Sequence, residues 1–132
     1  MRDLYHQIAT TTSFEPAAKT ASVTGTGVDL QGYESATVLI EVGTVTDGTH
    51  TPKLQDSPDN TNWTDVAAAA GSQIGTLAAL ASNTDQLVGY VNGQRYLRVF
   101  VTVAGATTGG VYGATIIKGH PRHQPAGVTQ AP

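Results

Sequence analysis

The chain has 132 residues, and only 13% of them are charged, against about 25% in an average soluble domain. This length predicts a single domain, while the net charge of −3 disfavours nucleic-acid binding and the lack of cysteine excludes disulfides and thiolate chemistry. The sequence has neither the ~20 consecutive apolar residues of a membrane helix nor the apolar core of a secretory signal, so we expect a protein of the soluble phase without a membrane partner.

Residues 1–19 show no regular spacing of apolar residues. Leu4, Tyr5 and Ile8 are suited to one helical turn, but three consecutive threonines and then Pro16 would end it. The segment is therefore predicted to be an N-terminal arm, extended or loosely docked.

The segments that follow alternate apolar and polar residues, as β-strands with one buried face do. The first strand is expected within residues 20–30, where glycines favour a bend. A period-two strand covers residues 36–42, and Asp47-Gly48 supplies the positive φ of a tight reversal into a short strand at residues 53–56. These two strands are predicted to form a hairpin.

A dense turn cluster, residues 57–62, precedes the only tryptophan of the chain. Trp63 is predicted to be buried against the hairpin and to close the core, with a short strand after it through Val66. The predicted core residues share inward-facing positions on the strands and comprise Ala36, Val38, Ile40, Val42, Leu54, Trp63, Val99 and Val101.

Residues 67–85 contain alanine runs interrupted by glycines, each of which costs a helix about 1 kcal/mol. A long loop or short strand across one end of the domain is therefore expected here. Residues 87–91 read as a strand, and Asn92-Gly93 predicts a hairpin turn into residues 95–103, which show the clearest alternation. The last strand is expected at residues 111–118.

About seven strands separated by turns predict an all-β domain at residues 20–118, a single antiparallel β-sandwich of jelly-roll or Greek-key type. Residues 119–132 contain three prolines and no apolar period, so they are predicted to form a C-terminal arm. Arms at both ends suit attachment to a larger assembly, because segments that order on binding cover large surfaces.

Two groups of polar residues have the composition of metal sites. His120 and His123 are separated by Pro121, which prevents a helical arrangement of ligands, so a solvated tail or a partner contact is the better interpretation. The aspartates and asparagines of residues 56–65 lack the spacing and glycine of a calcium loop, and Asx turns account for them. No metal or other cofactor is expected.

No carboxylate pair or serine lies in a context typical of catalysis, so the protein is not expected to be an enzyme. Its aromatic residues could instead line a sugar-binding face, which leaves a carbohydrate-binding β-sandwich module as an alternative. The residues concerned are Tyr33, Trp63, Tyr90, Tyr96 and Tyr112.

Five stretches of the chain are distinctive in combination: MRDLYH, VDLQGYESATVLIEVG, LQDSPDNTNWTDV, GYVNGQRYLRVFVTV and IIKGHPRH. Together they resemble a family of small tailed-phage and prophage proteins that are encoded beside the major capsid protein. The resemblance implies a virion structural role, first of all a decoration or cement protein on the phage head surface, with the major capsid protein as partner. A head–tail connector or tail component is the alternative. A homo-oligomer, with three copies, is expected by analogy only.

The residues expected to contact a partner lie in the two arms and on the outer face of the strand at residues 95–103. Apolar residues would anchor the N-terminal arm, and basic residues of the C-terminal arm would meet acidic groups of a shell subunit. The predicted binding residues are Leu4, Tyr5, Ile8, Phe14, Arg98, Phe100, His120, Arg122 and His123.

Overall fold

The computed structural model describes residues 4–66, 71–91 and 93–121. This part of the chain forms a short 3-10 turn, Tyr5–Gln7, and ten β-strands in two antiparallel sheets, which confirms the predicted all-β sandwich. The strands are β1 (Ile8–Lys19), β2 (Val23–Thr24), β3 (Val28–Asp29), β4 (Tyr33–Val45), β5 (Thr49–Ser57), β6 (Thr64–Asp65), β7 (Gln73–Ile74), β8 (Asp85–Val91), β9 (Tyr96–Ala104) and β10 (Gly110–Pro121).

The strand order is that of a jelly roll. The first sheet has the order β1-β10-β4-β8-β7, and the second sheet has the order β2-β9-β5-β6 with β3 also paired to β9. The antiparallel pairs are nested: β1 with β10, β2 and β3 with β9, β4 with β8, and β5 with β6. A long hairpin rolled into two sheets produces this nesting.

The core lies between the inward faces of the two sheets. Alternate residues of β4 and β9 are buried, as their period-two patterns predict. Seven of the eight predicted core residues are confirmed as buried, and the eighth, Trp63, is not part of the core. The confirmed residues are Ala36, Val38, Ile40, Val42, Leu54, Val99 and Val101.

Two buried tyrosines carry polar groups into this core. The hydroxyl of Tyr90 donates to Asp56 Oδ2 at 2.6 Å, and that of Tyr112 lies 2.8 Å from Nδ1 of the fully buried His50. His50 Nε2 lies 3.0 Å from the Asp47 carbonyl oxygen, which can only accept, so Nε2 donates this hydrogen bond. Burial raises the pKa of Tyr112 to about 12. Burial and the hydrogen bond to Asp56 also raise the pKa of Tyr90, so both hydroxyls stay protonated.

The N-terminal arm predicted for residues 1–19 is wrong from Ile8 onward, because β1 is an edge strand of the first sheet. Its register runs from Ile8 opposite Gly119, with shifts on either side of Phe14. These shifts place Ser13 and Phe14 side by side in the core, which removes the period-two pattern by which a strand is identified. Pro16 falls at the second shift, where a missing N–H is tolerated.

Neither predicted hairpin turn joins neighbouring strands. Asp47-Gly48 connects β4 of the first sheet to β5 of the second, and Gly93 lies between β8 and β9, which also belong to different sheets. Gly48 does adopt the positive φ, +85°, that its sequence context predicts. A tight turn is thus recognisable from sequence, whereas the sheet to which the chain returns is not.

Two further boundaries differ from prediction. The strand expected within residues 20–30 is split into β2 and β3. At the other end, β10 continues to Pro121 instead of ending at Lys118, so only the remainder of the predicted C-terminal arm, residues 122–132, lies outside the described residues.

Ser13 links β1 to the second sheet. It lies beside the segment that connects β2 to β3, both of which pair with β9. Its hydroxyl accepts a hydrogen bond from the Val99 N–H at 3.2 Å and donates one to the Thr26 carbonyl at 3.2 Å. The Thr26 N–H in turn donates to the Ser13 carbonyl at 2.6 Å. Gly25 leaves room for this contact, because a Cβ there would clash with Ser13 Oγ.

We expect Ser13→Ala to lower the free energy of unfolding by about 1–3 kcal/mol, because the buried Val99 N–H would lose its acceptor. Urea unfolding measures this loss. The neighbouring exposed residue gives the control, Thr12→Ala, with an expected change within about 0.5 kcal/mol. Equal stability of Ser13→Ala and the parent would contradict the role of this hydroxyl.

At the end of the sandwich where β4 ends and β10 begins, Asp47 links the β4–β5 turn to the β9–β10 loop. Its carboxylate accepts hydrogen bonds from the backbone N–H groups of Thr107, Thr108 and Gly109, the shortest being 2.6 Å from Gly109. These bonds, with that of Gly109 the largest contribution, lower the pKa of Asp47. The β4–β5 turn and the β9–β10 loop are thereby held together.

A lowered carboxyl pKa implies acid sensitivity. The stabilising contribution of Asp47 is fully present above its unfolded pKa of about 3.8 and is lost as pH falls through the lower folded value. We expect Asp47→Asn to be less stable than the parent at neutral pH and to lose stability less steeply below about pH 4. Urea unfolding across this range at high salt, which screens general charge repulsion, tests this; parallel acid profiles would contradict it.

Candidate interaction surfaces

The predicted binding residues do not form one surface. Phe14 is only 8% exposed and packs edge to face against Tyr112, so it belongs to the core and is not a surface anchor as predicted. Arg122 and His123 lie outside the described residues. The remaining six fall on two surfaces, one on the outer face of the second sheet and one at the end of the sandwich where β1 begins and β10 ends.

The first of these, the stacked surface, consists of Lys53, Gln55, Trp63, Arg98 and Phe100. The Arg98 guanidinium lies 4.2 Å from the centre of the Trp63 ring, and its Nε donates to Gln55 Oε1 at 2.8 Å. The Lys53 ammonium lies 5.1 Å from the centre of the Phe100 ring. Cations and aromatic rings therefore alternate across β5 and β9.

The polar groups of the stacked surface satisfy one another through Asp65. Its carboxylate accepts hydrogen bonds from Gln55 at 2.9 Å and Lys53 at 3.0 Å, and these bonds lower the pKa of Asp65. Partial burial lowers the pKa of Arg98. Cross-strand pairs of this kind stabilise a sheet, so the surface is stiffened by its own contacts.

Trp63 lies on this outer face, and the prediction that it closes the core is wrong. It is partly exposed and packs between Arg98 and Gly27, where a Cβ would lie 2.8 Å from the ring. The strand that follows, β6, is only two residues long and offers no period from which the direction of the ring could be inferred. The sequence around Trp63 therefore did not indicate whether its ring lies on the inner or the outer face of the second sheet.

The turn before Trp63 is held by Asp59. Its Oδ1 accepts hydrogen bonds from the backbone N–H groups of Asn62 and Thr61, at 2.9 Å each, and from the Ser57 hydroxyl at 2.9 Å. These bonds strongly lower the pKa of Asp59, with that of Asn62 the largest contribution. The partners all belong to the turn itself, as the Asx-turn interpretation predicts. Within the described ranges, no cluster of three or more His, Asp or Glu residues has the arrangement of a metal site.

The second surface is a groove of about 420 Å³ at the end where the described chain begins and ends. We call it the terminal groove, and three segments contribute three residues each: Leu4, Gln7 and Ile8 before and at the start of β1; Ser35, Ala36 and Thr37 of β4; Ile117, Gly119 and His120 of β10.

The sheet register creates the terminal groove. Ile8 lies opposite Gly119, and Gly119 lies opposite Ser35, so a glycine occupies the middle of three neighbouring strands. A Cβ on Gly119 would meet only Ser35 Oγ, at 3.8 Å, which is ordinary contact. The floor of the groove is therefore open because a side chain is missing and not because the backbone is distorted.

His120 closes one end of the terminal groove. It has a φ of +51°, which is uncommon for a residue other than glycine, and its Nδ1 lies 2.6 Å from Ser35 Oγ. Beside the groove, Leu4 and Tyr5 are 68% and 75% exposed although they belong to an ordered turn. Three predicted binding residues, Leu4, Ile8 and His120, thus meet here with Tyr5 next to them.

Sequence reasoning missed the other groove residues. Ser35 and Thr37 alternate with core residues in β4 and look like ordinary outward positions. The one available signal was Gly119, which interrupts a run of large residues at the end of the last strand.

Comparisons with known proteins add information on the fold. No protein-family model matches the chain, and no curated protein matches it in sequence. Among solved structures, the SPBc2 prophage-derived protein YomS is similar, with a TM-score of 0.54 and 20% sequence identity over 84% of this chain and 92% of that one. At this identity the likeness shows a shared fold. The described part of the chain contains no helix with the length and apolarity to span a membrane.

The position of Trp63 changes the effect expected from its removal. Trp63→Ala should lower the free energy of unfolding by about 1–2 kcal/mol, from partial burial and a contact with Arg98 of ~0.5–1 kcal/mol. The control is Leu54→Ala, a fully buried residue, with an expected loss of about 2–5 kcal/mol. Urea unfolding of both variants tests this; a loss for Trp63→Ala as large as for Leu54→Ala would place the ring in the core.

Proposed function

We propose that the protein is a structural component of a phage virion, in the first place a decoration or cement protein that binds the major capsid protein on the head surface. The observation that carries the proposal is the shared fold with a prophage-derived protein, which agrees with the resemblance of its sequence motifs to phage head proteins. The proposal includes no catalytic step, cofactor, nucleic acid or membrane.

The terminal end supports attachment. Leu4 and Tyr5 are large, exposed and apolar, and they sit on a turn next to a preformed groove. Exposed apolar groups of this kind commonly mark a protein contact. Because residues 8–19 form β1, the part of the N-terminal arm available for attachment is residues 1–7.

The alternatives differ in the surface and in the copy number they require. A head–tail connector or tail component could use the same terminal end, but far fewer copies would be present in a particle. A carbohydrate-binding module is favoured by the exposure of Trp63. However, sugar stacking requires an open aromatic face, and the Arg98 guanidinium lies over this ring. We therefore rank this alternative below the virion roles.

Quantitative mass spectrometry of purified particles tests the proposed function. A decoration protein should have a copy number per particle comparable with that of the major capsid protein. A connector should have only the few copies that form one ring. Absence from particles would exclude both virion roles.

We expect Leu4→Glu combined with Tyr5→Glu to weaken binding to undecorated heads by about tenfold or more, since the turn would lose its apolar contact. The melting temperature should change little, because both side chains are exposed. Pull-down at low and high salt measures the binding, and an apolar contact should persist at high salt.

The matched control is Leu87→Glu, which adds a charge at a residue that is also exposed, at 62%, on the outer face of the first sheet. Retained binding by this variant is expected. Loss of binding by Leu87→Glu, with none for the Leu4 and Tyr5 variant, would move the attachment surface from the terminal end to the part of the first sheet around β8.

A further inference from the structure

We propose that the terminal groove of one copy binds residues 122–132 of a second copy, so that the chain assembles into homo-oligomers by exchange of its C-terminal segment. This inference goes beyond the proposed function. It concerns contacts between copies of the chain and stands whether or not the protein is part of a virion.

The path of the described chain favours a second copy over the same copy. Pro121 lies opposite Tyr33, one step further along β4 than the Ser35–Gly119 pair that forms the middle of the groove. The chain therefore leaves β10 pointing away from the groove. To enter its own groove, the segment would have to reverse and run back beside Gly119, whereas the segment of a neighbouring copy can approach without reversal.

His120 fixes the point of departure. Its left-handed conformation bends the end of β10, and the contact between its ring and Ser35 Oγ holds that bend. Backbone strain at a non-glycine residue persists only where the surroundings maintain it. His120 and Ser35, which line the groove, therefore also set the direction in which the chain leaves β10.

The chemistry of the groove matches that of the segment. None of its nine lining residues is Asp, Glu, Lys or Arg, and its apolar walls come from Leu4, Ile8 and Ile117. Residues 122–132, RHQPAGVTQAP, contain no acidic residue and a central run of small apolar residues. The side chains of Ser35 and Thr37 offer hydrogen bonds to a backbone lying in the groove.

The length and composition of the segment also permit exchange. Eleven residues span up to about 36–40 Å when extended, while a chain of this size has a radius of gyration of about 14 Å. The segment can therefore reach an adjacent copy. Its prolines restrict the free segment, so less conformational entropy is lost on binding.

Three measurements test the proposal. By light scattering after size-exclusion chromatography, the full chain should be oligomeric and a chain ending at Pro121 monomeric. A synthetic peptide of residues 122–132 should bind to the shortened chain in titration calorimetry. Filling the groove with Gly119→Val should make that binding about tenfold weaker or abolish it.

Gly119→Val is suited to this purpose because it should fold. Gly119 does not have a positive φ, the added Cβ meets no close atom, and valine is favoured in strands. The matched control is Thr12→Val, which adds an apolar side chain to an exposed position of the adjacent β1 outside the groove. This control should bind the peptide like the parent.

Two outcomes would overturn the proposal. Oligomers that persist in the chain ending at Pro121 would show that another surface, such as the outer face of the first sheet, joins the copies. Peptide binding by the shortened chain together with a monomeric full chain would show that the segment occupies its own groove. Absence of the protein from virions would affect only the proposed function.

Discussion

The pairing of β1 with β10 is the constraint on which the rest of the structure depends. It joins the first strand of the chain to the last, and each further pair is nested inside it, from β2 and β3 with β9 to β5 with β6. Because the outermost pair closes the sandwich, the start of β1 and the end of β10 lie side by side at one end. The terminal groove is a consequence of this closure, since its three segments come from β1 with the turn before it, from β10 and from the neighbouring β4.

Polar contacts maintain the closure at both ends of the molecule and between the sheets. Ser13 supplies the hydroxyl that accepts from the Val99 N–H of β9 beside the β2–β3 segment, and Asp47 binds the loop before β10. Buried groups such as His50 and Tyr112 are paired inside the core, which avoids the cost of unsatisfied polar atoms. The charged residues of the second sheet are likewise engaged with one another, whereas at the terminal end the exposed apolar residues Leu4 and Tyr5 lie next to a groove.

The parts of the fold that follow from local periodicity were predictable from sequence. The alternation in β4 and β9 identified both the strands and their buried faces, and the composition identified an all-β sandwich. Non-local pairing was not predictable: the turn at Gly48 looks the same whether the chain returns to its own sheet or crosses to the other. The edge strand β1 was missed because its register shifts interrupt the alternation of apolar and polar residues. The direction of Trp63 was missed because the two-residue strand after it is too short to show such an alternation. Of the groove, sequence indicated Leu4, Ile8 and His120 but not the glycine floor that separates them.

The nested topology also constrains how the chain folds as it is synthesised. The partner of Ile8 is Gly119, so β1 cannot complete its pairing until almost the whole sequence has left the ribosome, on the order of ten seconds later at typical elongation rates. During this interval Phe14 and the backbone groups of β1 are open to association with other nascent chains. The three threonines and Pro16 of this strand make it a poor template for such association, because low apolar content and proline both oppose intermolecular strand pairing. The composition of β1 thus protects it from intermolecular pairing until β10 has been synthesised.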